Sequence, residues 1–242
     1  ALTTGGDNIF IGQDAGDDHD AETNNLGIGK GSLGGSIAGG EYNVAIGNNS
    51  LDALTSGDAN TAVGYQSGSA LTTGVLNTFL GYQSGLGNTE GGQNTFLGRQ
   101  AGEANTTGNV NIAIGDAAYD AADTESNNLA IGVNALGGAV EGGEYNVAIG
   151  NTSLDALTSG DFNVAVGYAA GTDLTQGENN VLVGYNAGVN ITTGSDNTFV
   201  GEQSGQALTT TASNTFIGRR AGQAATSATE NVIVGSDAVK TG

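Results

Sequence analysis

Few residues of this chain could do catalytic chemistry. Its 242 residues include one histidine, His19, and no cysteine, so the sequence offers neither a thiolate nucleophile nor a histidine cluster for a metal ion. G-x-S-x-G motifs, phosphate-binding glycine loops and histidine-containing triads are all absent from it. We therefore predict that the protein is not an enzyme and that His19 is an exposed loop residue.

Carboxylates are the most abundant reactive groups, and some recur at a fixed spacing. The chain has 25 acidic and 5 basic residues, a net charge of -20. Nucleic acid and anionic membrane surfaces are disfavoured as partners, because both attract clustered cations. No apolar run approaches the ~18 residues of a membrane span, so no membrane insertion is expected. No cofactor is required, but acidic residues 17 apart in two runs could bind Ca²⁺, which prefers oxygen ligands. A solvated acidic face is the alternative for this set: Glu41, Asp58, Glu144, Asp161 and Glu178.

A tandem repeat explains this spacing. The pattern Asn-x-x-φ-Gly-x-x-small, in which φ is Val, Ile or Leu, occurs fourteen times at intervals of 17 residues, with two intervals of 18. A longer block is duplicated at an offset of 103 residues, so the text GGEYNVAIGN appears twice. The repeats leave nothing over for another domain, so residues 1–242 are predicted to form one repeat domain. The asparagines, taken as position 0 of each repeat, are Asn8, Asn25, Asn43, Asn60, Asn77, Asn94, Asn111, Asn128, Asn146, Asn163, Asn180, Asn197, Asn214 and Asn231.

The repeat length determines the predicted fold class. A unit of 17 residues cannot bury its own apolar face and must stack on its neighbours. Glycine recurs too often in each unit for an amphipathic helix. We predict an all-β fold, a parallel β-solenoid or β-roll of fourteen turns of 17–18 residues. The invariant glycine at position +4 is expected to need a positive φ or to contact neighbouring backbone too closely for a Cβ.

Each position of the repeat receives a predicted role. The asparagines at position 0 are expected to form a structural ladder from turn to turn, because an amide both donates and accepts. Aliphatic residues at +3, with those at +1, are predicted to line the interior. Position +2 would then lie on the outer face, yet it is also apolar. We interpret it as the interface of a homo-oligomer, carried mainly by Phe10, Phe79, Phe96, Leu182, Phe199, Phe216 and Ile233.

Position +5 is predicted to point outward and contains tyrosines in adjacent turns: Tyr65, Tyr82, Tyr168 and Tyr185. One interpretation is a ladder of stacked rings and ion pairs, in which Arg99 lies one turn from Asp116 and Arg219 one turn from Glu202. The other is a platform that contacts the sugar rings of a glycan.

The repeat text resembles a known family over essentially the whole chain. The motifs N-x-A-I-G and N-T-x-x-G-Y-Q-S-G…L-T-T-G are similar to the β-roll head repeats of trimeric autotransporter adhesins. Similar repeats occur in long phage tail fibres and bacterial surface fibres. The resemblance implies a left-handed parallel β-roll, usually a trimer, with an apolar stripe at the three-fold axis. It also implies an extracellular location, on a cell surface or in a virion fibre.

Taken together, these features predict a structural segment of an extracellular fibre or filament. Copies would associate through a lateral apolar stripe, and the unit would belong to a longer array or stack end to end. The alternative is an adhesin or phage tail-fibre module that binds a cell-surface glycan or receptor.

Overall fold

The structure, a computed structural model, describes residues 5–17, 21–36, 38–227 and 229–239. The chain divides into two compact units, Ala1–Ser126 and Asn127–Gly242. Each unit is all-β and carries seven three-residue strands, one for each repeat. The predicted parallel β-solenoid is therefore confirmed. Across the described ranges, no helix is long and apolar enough to cross a membrane.

The strands lie at positions +1 to +3 of every repeat. Those of the first unit are β1 Ile9–Ile11, β2 Leu26–Ile28, β3 Val44–Ile46, β4 Thr61–Val63, β5 Thr78–Leu80, β6 Thr95–Leu97 and β7 Ile112–Ile114. Those of the second unit are β8 Leu129–Ile131, β9 Val147–Ile149, β10 Val164–Val166, β11 Val181–Val183, β12 Thr198–Val200, β13 Thr215–Ile217 and β14 Val232–Val234.

Within each unit, successive strands pair in parallel and in register. Phe79 of β5 pairs with Phe96 of β6, and Phe199 of β12 pairs with Phe216 of β13. The register offset equals the repeat length, including across the 18-residue steps from β2 to β3 and from β8 to β9. Each repeat position therefore forms a column along its unit.

The glycine at position +4 meets both of its expected constraints. Gly64 has φ +142°, and a Cβ at this residue would lie 2.2 Å from the carbonyl oxygen of Gly81 in the next turn. Its amide donates to the carbonyl of Ile46 in the preceding turn at 2.8 Å. A side chain here would push stacked turns apart, which explains why no repeat departs from glycine.

Position +2 lies inside the solenoid, so the predicted oligomer interface is wrong. Phe79, Phe96, Leu182, Phe199 and Phe216 are fully buried within their own units. The two other members of the predicted interface, in the terminal strands, are partly buried: Phe10 and Ile233.

The orientation of position 0 explains this correction. The asparagines at position 0 point inward, and in a strand the residue two places along shares the same face. Positions +1 and +3 therefore point outward, opposite to their predicted orientation, and are exposed or half-buried in every strand, as Thr78 and Leu80 of β5 illustrate.

The interior volume is shared between positions +2 and +8. Where +2 is Phe96, position +8 is Gly102, and a Cβ on that glycine would lie 2.4 Å from the phenylalanine ring. Where +2 is Ala148, position +8 is the fully buried Leu154. In these two turns a large residue at one position is matched by a small one at the other, as close packing requires.

Candidate functional site

The asparagine column is a buried hydrogen-bond ladder in each unit. The Oδ1 of Asn60 accepts from the backbone N–H of Asn77 at 3.0 Å and from its Nδ2 at 3.1 Å. The Nδ2 of Asn60 donates to the carbonyl of Gly74 at 2.9 Å. Both ends of the amide are therefore used between turns. This gives the column a structural role.

Outward-pointing side chains at +1 and +3 form an uncharged, largely aliphatic sheet face in each unit, which we call the outer face. Leu80 and Leu97 of the first unit are 44% and 39% exposed, and Ile217 of the second is 41% exposed. Position +3 is aliphatic in every repeat, and neither position carries a charge anywhere in the chain. An uncharged face of this kind on a strongly acidic protein is typical of an interaction surface.

The tyrosines at +5 form two stacked pairs on the surface. Tyr65 and Tyr82 have ring centroids 5.5 Å apart, and Tyr168 and Tyr185 have theirs 5.6 Å apart. Stacking covers one face of each ring with its partner, so less ring face is available to a sugar. The glycan contact at these tyrosines stays a prediction.

The ion pairs follow the predicted +5 column only in part. Arg99 pairs with Asp116 at 2.6 Å, and the hydrogen bond and charge of Asp116 raise the pKa of the guanidinium. Arg219 pairs with Asp237 at 2.7 Å, not with Glu202. Glu202 lies 3.8 Å from the neighbouring Arg220 instead. Each arginine at +5 or +6 thus forms an ion pair with the nearest carboxylate of an adjacent turn.

The acidic residues predicted as calcium ligands occupy position −2, where they contact backbone. The Oδ1 of Asp58 accepts from the N–H of Glu41 at 2.8 Å, and the Oδ1 of Asp161 accepts from the N–H of Glu144 at 2.8 Å. In Glu178 it is the backbone N–H that donates, to the Oγ of Ser195 at 3.0 Å. Over the part of the chain that the structure describes, no group of three or more acidic or histidine residues could hold a metal ion.

Two other aspartates, Asp52 and Asp155, occupy equivalent places at position +9 of the two units. Each is half-buried, and burial raises the pKa of both carboxyls. The Oδ1 of Asp52 is shielded from solvent and has no hydrogen-bond partner. The turns on either side of Asp52 carry Gly34 and Ser69 at this position. Desolvation, and not a nearby carboxylate, is therefore the cause of its raised pKa.

The residues at position −1 form an exposed column that the sequence did not lead us to expect. Its φ is close to +60° in every repeat, a left-handed conformation that costs a non-glycine residue about 1–2 kcal/mol. Asparagine and aspartate suit it, yet Tyr42, Tyr145 and Phe162 occupy it with 60%, 50% and 55% of their surface exposed. The rings of Tyr145 and Phe162 stack with centroids 5.2 Å apart. The available signal was the recurrence of large apolar residues directly before an invariant asparagine, at a place where a loop residue is normally polar.

His19 lies outside the described residues. No protein-family model matches the chain, and no curated protein or solved structure matches it either. The functional argument therefore depends on the surfaces described above.

Proposed function

We propose that the protein is a structural segment of an extracellular fibre or filament whose copies associate side by side through the outer face. The observation that carries the proposal is a column of outward-pointing, uncharged side chains at +1 and +3 in both units, in which +3 is always aliphatic and +1 is aliphatic or threonine. Exposed apolar patches of a few hundred Å² are often functional surfaces. The mechanism is mechanical, because main-chain ladders and a continuous interior resist bending and proteolysis.

A second copy of the chain is the partner that fits this face best. Seven strands spaced by ~4.8 Å, each about 10 Å long, give each unit an outer face of roughly 300–350 Å². Face against face, each unit would therefore bury roughly 600–700 Å² in total with the same unit of a second copy, and each unit that engages adds to the interface. The acidic columns lie at other repeat positions, so association need not bury their charge.

The resemblance to autotransporter head repeats and tail-fibre repeats supports the same proposal. It favours a left-handed β-roll, three copies around an axis, and a location on a cell surface or virion. End-to-end stacking into longer filaments belongs to the same proposal, because an array of repeats extends along its own axis.

Light scattering coupled to size exclusion tests the lateral association. We expect the wild-type protein to be an oligomer at micromolar concentration. The variant Leu80→Lys/Leu97→Lys should weaken association by about 100-fold or more, because it places unpaired ammonium groups in an apolar interface. Lysine suits an exposed strand, so folding should be retained.

The matched control is Leu76→Lys/Val110→Lys, which introduces the same two charges at exposed aliphatic residues of position −1, outside the outer face. This control should keep the wild-type oligomeric state. A monomeric wild type, or equal weakening by the control, would contradict the proposal.

A further inference from the structure

The aromatic residues at position −1 lie on the surface, where Tyr145 and Phe162 stack on each other. Tyr42, Tyr145 and Phe162 are each at least half exposed, and they occupy a left-handed backbone position that Asn24 and Asn179 fill in other turns. Strained backbone that carries large exposed rings points to a role outside the fold. We call this set of three residues the aromatic corner.

Carboxylates flank every ring of the aromatic corner. Glu144 directly precedes Tyr145, Asp161 directly precedes Phe162, and Glu41 directly precedes Tyr42. The hydrogen bond from the N–H of Glu144 holds the Asp161 carboxylate in place at 2.8 Å. None of the ion pairs found in the described ranges uses these three acids. Aromatic faces beside carboxylates are complementary to a cation that can also stack.

In the turn after each end of the aromatic corner, the −1 column carries a non-aromatic residue. The residue that follows Phe162 in the −1 column is Asn179, and the one that follows Tyr42 is Ala59, so neither ring meets another aromatic side chain in the next turn. Turns are ~4.8 Å apart, close to the 5.2 Å between the stacked rings of Tyr145 and Phe162. A guanidinium group would fit as the next layer, on the ring and within reach of a carboxylate.

We propose that the aromatic corner is a docking surface for an arginine-containing, basic segment of a partner protein. One arginine would stack on Phe162 and pair with Asp161 or Glu178, and another would stack on Tyr42 and pair with Glu41 or Asp58. The duplication at 103 residues gives each unit a site of the same chemistry. The outer face uses different repeat positions, so this binding is separate from the proposed self-association.

Fluorescence anisotropy with a labelled peptide of alternating glycine and arginine tests the proposal. The variant Tyr42→Asn/Tyr145→Asn/Phe162→Asn keeps a residue that suits the left-handed backbone, so it should remain folded, as circular dichroism can verify. We expect it to bind the peptide about tenfold more weakly than wild type at low salt. A peptide of alternating glycine and lysine should bind more weakly than the arginine peptide, because an ammonium cannot stack as a planar layer.

The matched control removes another stacked pair, in the variant Tyr65→Asn/Tyr82→Asn. These rings are similarly exposed, but Arg99 follows them in the next turn and no acidic residue adjoins them in sequence. The control should bind the arginine peptide within about twofold of wild type. An equal loss of peptide affinity in both variants, or no loss in the first, would mean that the peptide binds only through the overall acidic charge. Either result would overturn the proposal.

Discussion

At the scale of single residues, Asp52 and Asp155 are half-buried carboxylates whose ionised form destabilises the folded state. Both carboxyls have a pKa raised above the usual aspartate value, because the folded state removes water from the ionised form. Below pH ~4 such a carboxyl is protonated in both states, so its burial carries little cost. As the pH rises through the raised pKa, the folded state must carry a poorly solvated charge and stability falls.

Asp52→Asn should therefore stabilise the protein at neutral pH. Allowing for its partial exposure, we expect a gain on the order of 0.5–1 kcal/mol at pH 7 that disappears near pH 3.5. Urea unfolding at both pH values measures the difference. Asp58→Asn is the control, because its Oδ1 already accepts the N–H of Glu41, and it should give no comparable gain. A gain for Asp52→Asn that is equal at both pH values would exclude ionisation as the cause.

At the scale of a single turn, positions +2 and +8 form one packing unit. Phe96→Ala should cost about 3–5 kcal/mol by opening a cavity. Gly102→Leu should also destabilise, because the new side chain would clash with the Phe96 ring. The double variant Phe96→Ala/Gly102→Leu reproduces the combination of Ala148 and Leu154, so we expect it to recover at least half of the summed loss.

A double-mutant cycle from denaturant unfolding measures this coupling. Leu154 adopts φ +50° in its own turn, so the backbone itself tolerates leucine at this position. Additive losses in the two single variants would show that the positions do not share one interior volume.

The same elements show what the sequence can predict. Strand positions, parallel register and the bend at +4 follow from the repeat, because a 17-residue spacing has one economical stacking solution. The inward side of the strand does not follow from hydrophobicity, because +3 is always apolar and +1 is apolar in nine of the fourteen repeats, so that all three strand residues can be apolar, as in Val164–Val166. The buried asparagine at position 0 determines which side faces inward, because residues at positions 0 and +2 lie on the same face of a strand. Left-handed residues such as Leu154 and Phe162 were also missed, since neither is a residue type that favours positive φ.

At the scale of the whole molecule, the two proposed surfaces differ in charge. The net charge of -20 makes copies of the chain repel one another, while the outer face that would join them is uncharged. The aromatic corner instead depends on attraction between carboxylates and a basic partner. Salt shortens the Debye length from ~30 Å at 0.01 M to ~10 Å at 0.1 M, and it weakens both the repulsion and the attraction.

The two associations should therefore respond to salt in opposite directions. Raising NaCl from about 0.01 M to about 0.3 M should strengthen self-association several-fold, because it screens the repulsion and reinforces an apolar contact. The same change should weaken binding of the arginine peptide by tenfold or more, because the charge pairs that hold it are exposed. Sedimentation equilibrium and anisotropy on the same samples measure both. If self-association instead weakened with salt, ion pairs would be joining the copies, and the outer face would not be their interface.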